Sequence, residues 1–250
     1  MFSVISVFFP SVLAFTLAGQ VPAPSPAAGK PAKPAATAKP SATAKPAVPA
    51  KPAPAAPASP ADAVAAKVQA FYDQTKDFSA EFIQSYTRVA LSKTSESRGT
   101  VKVLKPGMMR WDYASPEPKH FIADGKQLYV YDPEDQHVTI DPNFQISDQG
   151  SSLSFLWGQG KLTNEFTIAM GPLKEANVTI LELTPKKDAT YTKLTLTVEP
   201  SGQVTESVLH ETSGNTNRFR FQNVKTNGGL TPAAFQFTPP PGAEVQIIRR

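Results

Sequence analysis

The chain contains no cysteine. That excludes disulfides, thiolate metal sites and an N-terminal Cys for lipid attachment. Histidine is scarce as well, with His120, His137 and His210 the three in 250 residues. Asp135, His137 and Asp141 could share a strand face and hold a metal. They also adjoin a turn, where polar side chains are expected anyway, and the solvated-face reading is preferred. Nor is there a G-x-S-x-G elbow, an H-E-x-x-H pair or a P-loop. Gly158-Gln-Gly160-Lys161 runs into Leu162 and lacks the spacing of a phosphate loop. The carboxylates are scattered and mostly flanked by Lys or Arg. No catalytic residue, metal or cofactor is assigned, and the chain reads as a binding protein rather than an enzyme.

Acidic residues are missing from the first 61 positions, and all 21 lie from Asp62 onward. The N-terminal part carries Lys30, Lys33, Lys39, Lys45 and Lys51, so the rest sets 20 basic side chains against 21 acidic ones, a balance of −1. The overall pI of 9.2 therefore comes from an arm rather than from a basic folded surface. With no basic helix and no aromatic RNA-binding signature, nucleic acid is not an expected partner. Attraction of the arm to an anionic surface and a plain solvated spacer both remain open.

Three regions follow. Residues 1–20 open with an apolar run, Phe2 to Ala18, of signal-peptide length and short for a membrane span. No Lys or Arg precedes it; export with cleavage after Ala18 is the favoured reading, and an uncleaved anchor is the alternative. Residues 21–60 are almost only Ala, Pro, Lys, Ser and Thr and include Ala-Thr-Ala-Lys-Pro at Ala36–Pro40 and again at Ala42–Pro46. Too little apolar surface is present to offset the entropy of ordering, so an extended linker is expected. Residues 61–250 form one domain of ordinary size.

Within that domain Asp62 is a plausible N-cap, and Val64, Val68, Phe71 and Tyr72 make one helical stripe. From Phe78 the period changes to two. Strands are predicted at Ala80–Ser92, Glu96–Leu104, Met108–Tyr113, His120–Ala123, Gln127–Asp132 and His137–Asp141. Asp124-Gly125 is predicted to supply both central residues of a type I′ turn. A short helix is expected between Gly150 and Gly158. Strands resume at Phe166–Met170, Val178–Thr184, Tyr191–Glu199, Val204–Glu211, Arg218–Val224 and Ala234–Phe237, and Pro239-Pro240-Pro241 marks the end of the sheet. The fold class is mainly β: a curved, incompletely closed antiparallel barrel of about eleven strands, with the N-terminal helix and a short central helix as lid.

Bulky apolar residues share one face of several strands: Met109, Trp111 and Tyr113; Ile180; Leu194, Leu196 and Val198; Phe219 and Phe221; Phe235 and Phe237. Two short helices cannot cover such a face. Either the barrel collapses on itself or it keeps an apolar cavity.

Four motifs, in order, resemble the LolA family of periplasmic lipoprotein carriers. They are Phe82-Ile83-Gln84 after the helix; Gly99 to Pro106 leading into Arg110-Trp111-Asp112-Tyr113; Ala123-Asp-Gly-Lys-Gln-Leu-Tyr-Val-Tyr-Asp-Pro133; and Phe235-Gln-Phe-Thr-Pro-Pro-Pro-Gly-Ala-Glu-Val245. The resemblance implies an unclosed barrel with a helical lid over an apolar cavity. It also implies a role: a monomer in the periplasm takes acylated lipoproteins from an inner-membrane ABC transporter and hands them to an outer-membrane receptor of similar fold. The family's rim-to-lid basic residue, typically Arg, falls on Lys105, which keeps the charge and loses the planar fork. Trp111 matches a cavity-lining Trp, and Leu153, Phe155, Leu156 and Trp157 fall on the central lid helix. With Met109, Leu196 and Phe219 they form the expected acyl-contacting set. A carrier or sensor of another lipid or glycolipid on the same fold is the alternative, and a hydrolase has the least support.

Overall fold

The computed structural model describes residues 59–144, 160–172 and 177–249. Helix α1 (Pro60–Gln74) begins one turn earlier than Asp62 suggested. Ser59 is the N-cap and Asp62 is N3: Ser59 Oγ accepts the Asp62 N–H at 3.1 Å, and the Asp62 carboxylate accepts the Ser59 N–H at 3.1 Å. This reciprocal box satisfies two otherwise unpaired amides, and Pro60 sits where a helix needs no donor. Ala61, Ala65, Val68 and Tyr72 are the buried stripe.

The described strands form one sheet of twelve. In chain order they are β1 (Asp77–Arg88), β2 (Lys93–Leu104), β3 (Met108–Ser115), β4 (Lys119–Asp124), β5 (Leu128–Asp132), β6 (His137–Asp141), β7 (Phe166–Met170), β8 (Thr179–Pro185), β9 (Tyr191–Val198), β10 (Val204–Glu211), β11 (Thr216–Thr226) and β12 (Glu244–Ile247). A one-turn helix α2 (Leu162–Glu165) leads into β7. The spatial order is β12-β6-β5-β4-β3-β2-β1-β11-β10-β9-β8-β7, so among the described residues β12 and β7 are the edges and the sheet is open. All neighbours are antiparallel except β12 and β6. Among the described residues no helix is long and apolar enough to cross a membrane.

The β4–β5 hairpin differs from the expected turn. Gly125 (φ +90°) is its first central residue and the only central one with positive φ, as in a type II′ turn. Asp124 flanks the turn instead, and its Oδ1 accepts the N–H groups of Lys126 at 2.8 Å and Gln127 at 2.9 Å. The C-terminal segment differs more. Ala234–Phe237 is not a strand: Pro232–Phe235 is a 3₁₀ turn against β3 and β4. Pro232 supplies no donor for a ladder and suits the first position of a helical turn. The prolines do not end the sheet either. Gly242 (φ +85°) turns the chain, and Glu244 N–H donates to the Gln136 carbonyl at 2.8 Å to start β12.

Two faces result. The inner face, toward α1, carries one cluster under the helix and a second around Phe82, Trp111, Phe219 and Phe221. The outer face buries Ile122, Tyr129 and Val138 beneath Phe237 and Ala243 of the C-terminal segment. Phe237 is thus on the outer face, not the inner one as expected. Ile180 is also on the face away from α1, because Leu181 and Leu183 are the β8 residues that meet the helix.

Gly99 in β2 has no room for a side chain. A Cβ there would lie 2.1 Å from the Asp112 carbonyl and 2.8 Å from the Phe82 ring, beside an irregularity in the β2–β3 register. Gly99→Ala is expected to cost about 3 kcal/mol through overpacking, read as a lower urea midpoint at unchanged slope.

Candidate functional site

The alternation of β1, β3 and β11 places their large rings on the inner face, where they meet edge to face. Phe82 lies 5.0 Å from Trp111 and 4.9 Å from Tyr113, and Trp111 lies 5.3 Å from Phe219, centroid to centroid. Met109 joins the same cluster and is fully buried. Of the expected acyl-contacting residues, Met109, Trp111 and Phe219 therefore converge. Leu196 does not join them: it is buried in the separate cluster under α1, with Val68 and Tyr72. Leu153, Phe155, Leu156 and Trp157 lie outside the described residues. Sequence reasoning named Phe82 and Gln84 only as a motif and passed over their role. The signal was their period of two, which puts both on the Trp111 face.

The second part of the site is the junction of α1 with the sheet. Lys105, in the β2–β3 turn, donates its Nζ to the Tyr72 carbonyl, which also accepts the Thr75 N–H at 3.1 Å. Helix α1 has no basic residue in its last turn, so Lys105 supplies from outside the cation that a helix C-terminus favours. Burial pushes the Lys105 amine down from its ordinary pKa, and the nearby Asp73 carboxylate opposes that shift. Asn227 completes the junction. Its Oδ1 accepts the Lys76 N–H at 2.7 Å, while Asp77 accepts the Gly228 and Gly229 N–H groups at 2.8 and 3.2 Å. Tyr72 Oη in turn accepts the Val204 N–H at 3.2 Å, and burial pushes this phenol's pKa well up.

Between the helix end and the sheet lies a cleft bounded by Phe71, Tyr72, Phe78, Val204, Phe221 and Val224. Its volume is about 10 Å³, room for about one water molecule. With the helix docked, this cleft is shut to an acyl chain.

The histidines are not gathered into a reactive set. His120 Nδ1 lies 2.6 Å from Asp112 Oδ1 on the outer face, and Arg110 Nε donates to the same carboxylate at 2.8 Å. His137 Nε2 lies 3.3 Å from Thr139 Oγ1, and His210 Nε2 lies 3.3 Å from Thr195 Oγ1. Among the described residues no group of three or more His, Asp or Glu is placed to hold a metal. Asp135 is exposed in the turn and Asp141 is buried, so they do not converge with His137.

The profile of the family described as outer membrane lipoprotein carrier protein LolA matches residues 73–238. The chain belongs to the LolA family. An outer-membrane lipoprotein carrier protein of Dechloromonas aromatica (strain RCB) is 31% identical over 175 residues, covering 70% of this chain and 83% of that protein. The namesake from Cupriavidus pinatubonensis is 32% identical over 186 residues, covering 73% and 87%. An uncharacterized conserved protein from Thermus thermophilus shares the fold, with a TM-score of 0.50 at 14% identity over 75% of this chain and 99% of that one. In LolA terms, the matched segment spans the rings, Lys105 and the Asp77–Asn227 junction. All of α1 except Asp73 and Gln74, and strand β12, lie outside it.

Two outcomes test this geometry. Lys105→Ala is expected to lose about 1 kcal/mol and to speed hydrogen exchange at Tyr72–Lys76, whereas Lys105→Arg retains protection; unchanged exchange in both would remove the junction's role. Asp112 is the second. Burial opposes its charge, but hydrogen bonds with Arg110 and His120 outweigh that and hold its pKa below 3.8. Its stabilising effect is present above that value and lost as pH falls through the lower folded pKa. Asp112→Asn should therefore cost about 1 kcal/mol at pH 7, with the gap to the parent closing below pH 3.8 in acid-titrated thermal melts.

Proposed function

We propose that the chain is a periplasmic chaperone that binds the acyl chains of lipoproteins and delivers them to the outer membrane. The observation that carries this reading is an open sheet whose inner face bears a cluster of large rings beside a docked helix, the end of the helix being held by Lys105 and Asn227. The names of the related carriers support it. Residues 1–20 serve as the export signal and 21–60 as a linker, ahead of a domain that acts as a monomer. Its partners are an inner-membrane ABC transporter that releases the cargo and an outer-membrane receptor of similar fold. The chain works by binding, without catalysis or cofactor.

Physical chemistry says why such a carrier is needed and how it lets go. Each methylene exposed to water costs about 0.8 kcal/mol, so a chain of some fourteen costs on the order of 11 kcal/mol. Two or three chains do not cross an aqueous gap unshielded. In the closed state Phe82, Trp111, Phe219 and Phe221 pack on one another. Cargo must replace those contacts, so net affinity falls well below the full transfer value. That difference lets a receptor strip the cargo.

The test is release from energised inner-membrane vesicles carrying labelled lipoproteins, with the full chain as acceptor. A soluble one-to-one complex is expected. With Trp157→Phe, the emission of Trp111 alone should shift when a triacylated lipopeptide is added. No release from vesicles with an active transporter, together with unshifted emission, would transfer the reading to another lipid.

A further inference from the structure

One polar pair interrupts the apolar inner face. Gln84 follows Phe82 by two residues on β1, and Asn217 precedes Phe219 by two on β11, so both amides share the face of the rings. Gln84 is 4% exposed and Asn217 is 1% exposed. Gln84 Nε2 donates to Asn217 Oδ1 at 3.0 Å. The Asn217 Nδ2 has no hydrogen-bond partner and is the one buried side-chain nitrogen or oxygen in that state among the described residues.

Buried donors are nearly always paired, because an unmade bond leaves the cost of desolvation uncompensated. Folding alone gives no reason for the two amides: apolar side chains of similar size would fill the position without an orphan. Their surroundings are also lopsided. Toward one strand end lie Phe82, Phe219 and Phe221. Toward the other, Tyr86 Oη donates to Glu211 Oε2 at 3.2 Å and accepts from Asn215 Nδ2 at 3.2 Å. The pair thus stands where the ring-lined face gives way to a polar rim. A lipid chain laid along the rings has the same order: hydrocarbon, then the carbonyl of its linkage, then the polar backbone.

We propose that Asn217 is a cargo-binding residue whose Nδ2 donates to the carbonyl oxygen of the ester or amide joining an acyl chain to its lipoprotein. The inference rests on the carrier reading above and adds to it a position-specific polar contact. Gln84 is the positioning residue: its bond to Oδ1 fixes the amide with Nδ2 outward from the pair. The donor unsatisfied in the closed state becomes satisfied only when cargo replaces the packed rings, so this bond favours the loaded state over the empty one. It also sets depth, since a chain without a carbonyl at that height leaves the donor buried and unpaired.

Three synthetic lipopeptides on an S-glyceryl cysteine core test this with the full chain. The first has two ester-linked chains and an N-acyl amide, the second has ethers in place of the esters, and the third has ethers and an N-alkyl amine. Wild type is expected to lose about fivefold in affinity at one replacement, the size of one neutral hydrogen bond, and the step at which it falls distinguishes ester from amide. In Asn217→Leu and in the double variant Gln84→Leu/Asn217→Leu that loss should vanish. The double variant leaves no orphaned amide and should melt at or above the parent temperature. An affinity series in the double variant parallel to wild type overturns the inference, as does a wild type that binds all three alike. A wild type that binds none of them sinks the carrier reading as well.

Discussion

An open sheet of twelve strands that buries rings on one face has more apolar surface there than one helix of fifteen residues can cover. That shortage of cover is the constraint on which the rest depends. Helix α1 roofs only the β7–β10 side. Among the described residues the rings of β1, β3 and β11 pack edge to face on one another, an arrangement that aromatic quadrupoles favour over a flat stack. Ring contacts of this kind, side chain on side chain, can be exchanged for contacts with another apolar body. The same shortage explains the outer face, where the C-terminal segment crosses β3 to β6 and buries Ile122, Tyr129 and Val138.

Beyond its buried apolar stripe, α1 is tied to the sheet by a few local polar bonds. The sheet grips α1 at its C-terminal end through Lys105 and Asn227, both in turns rather than in the ring cluster. Farther along the helix, Gln69 Oε1 accepts the Leu162 N–H at 3.2 Å. A helix pinned by backbone carbonyls and a few polar groups, over a face that is apolar, has its strength of attachment separated from its area of contact. Lys at position 105 offers rotating donors from a point charge, so its hold on one carbonyl needs no planar match.

Much of this was legible in the sequence where one face of a strand is buried. Alternation in β3 located Met109 and Trp111, which the structure brings together on the inner face. Cap chemistry was misassigned by one turn because Ser59 and Asp62 are both good cap residues, and only their reciprocal bonds separate the roles. Leu196 was grouped with the rings because strand alternation gives the face but not the position across the sheet. Ile180 and Leu181 are adjacent apolar residues, a pattern that leaves the choice of face to tertiary packing. The run of three prolines reads locally as an end, and nothing local announces a parallel strand beyond it. Asn217 has no signature at all: a lone Asn in a strand becomes notable only when its partners are counted.

The position of β1 in the sheet carries a kinetic consequence. On one side its neighbour is β2, the next strand in the chain. On the other it is β11, made near the end, with Phe82 opposite Phe221 and Tyr86 opposite Asn217. As the chain emerges from its N-terminus, β1 to β6 can zip up as successive hairpins at low entropic cost. Until β11 arrives, however, the twelve-residue β1 presents a bare edge beside exposed rings, the combination that recruits other chains. For a nascent molecule of this design, the hazardous interval is set by the time needed to produce its second half.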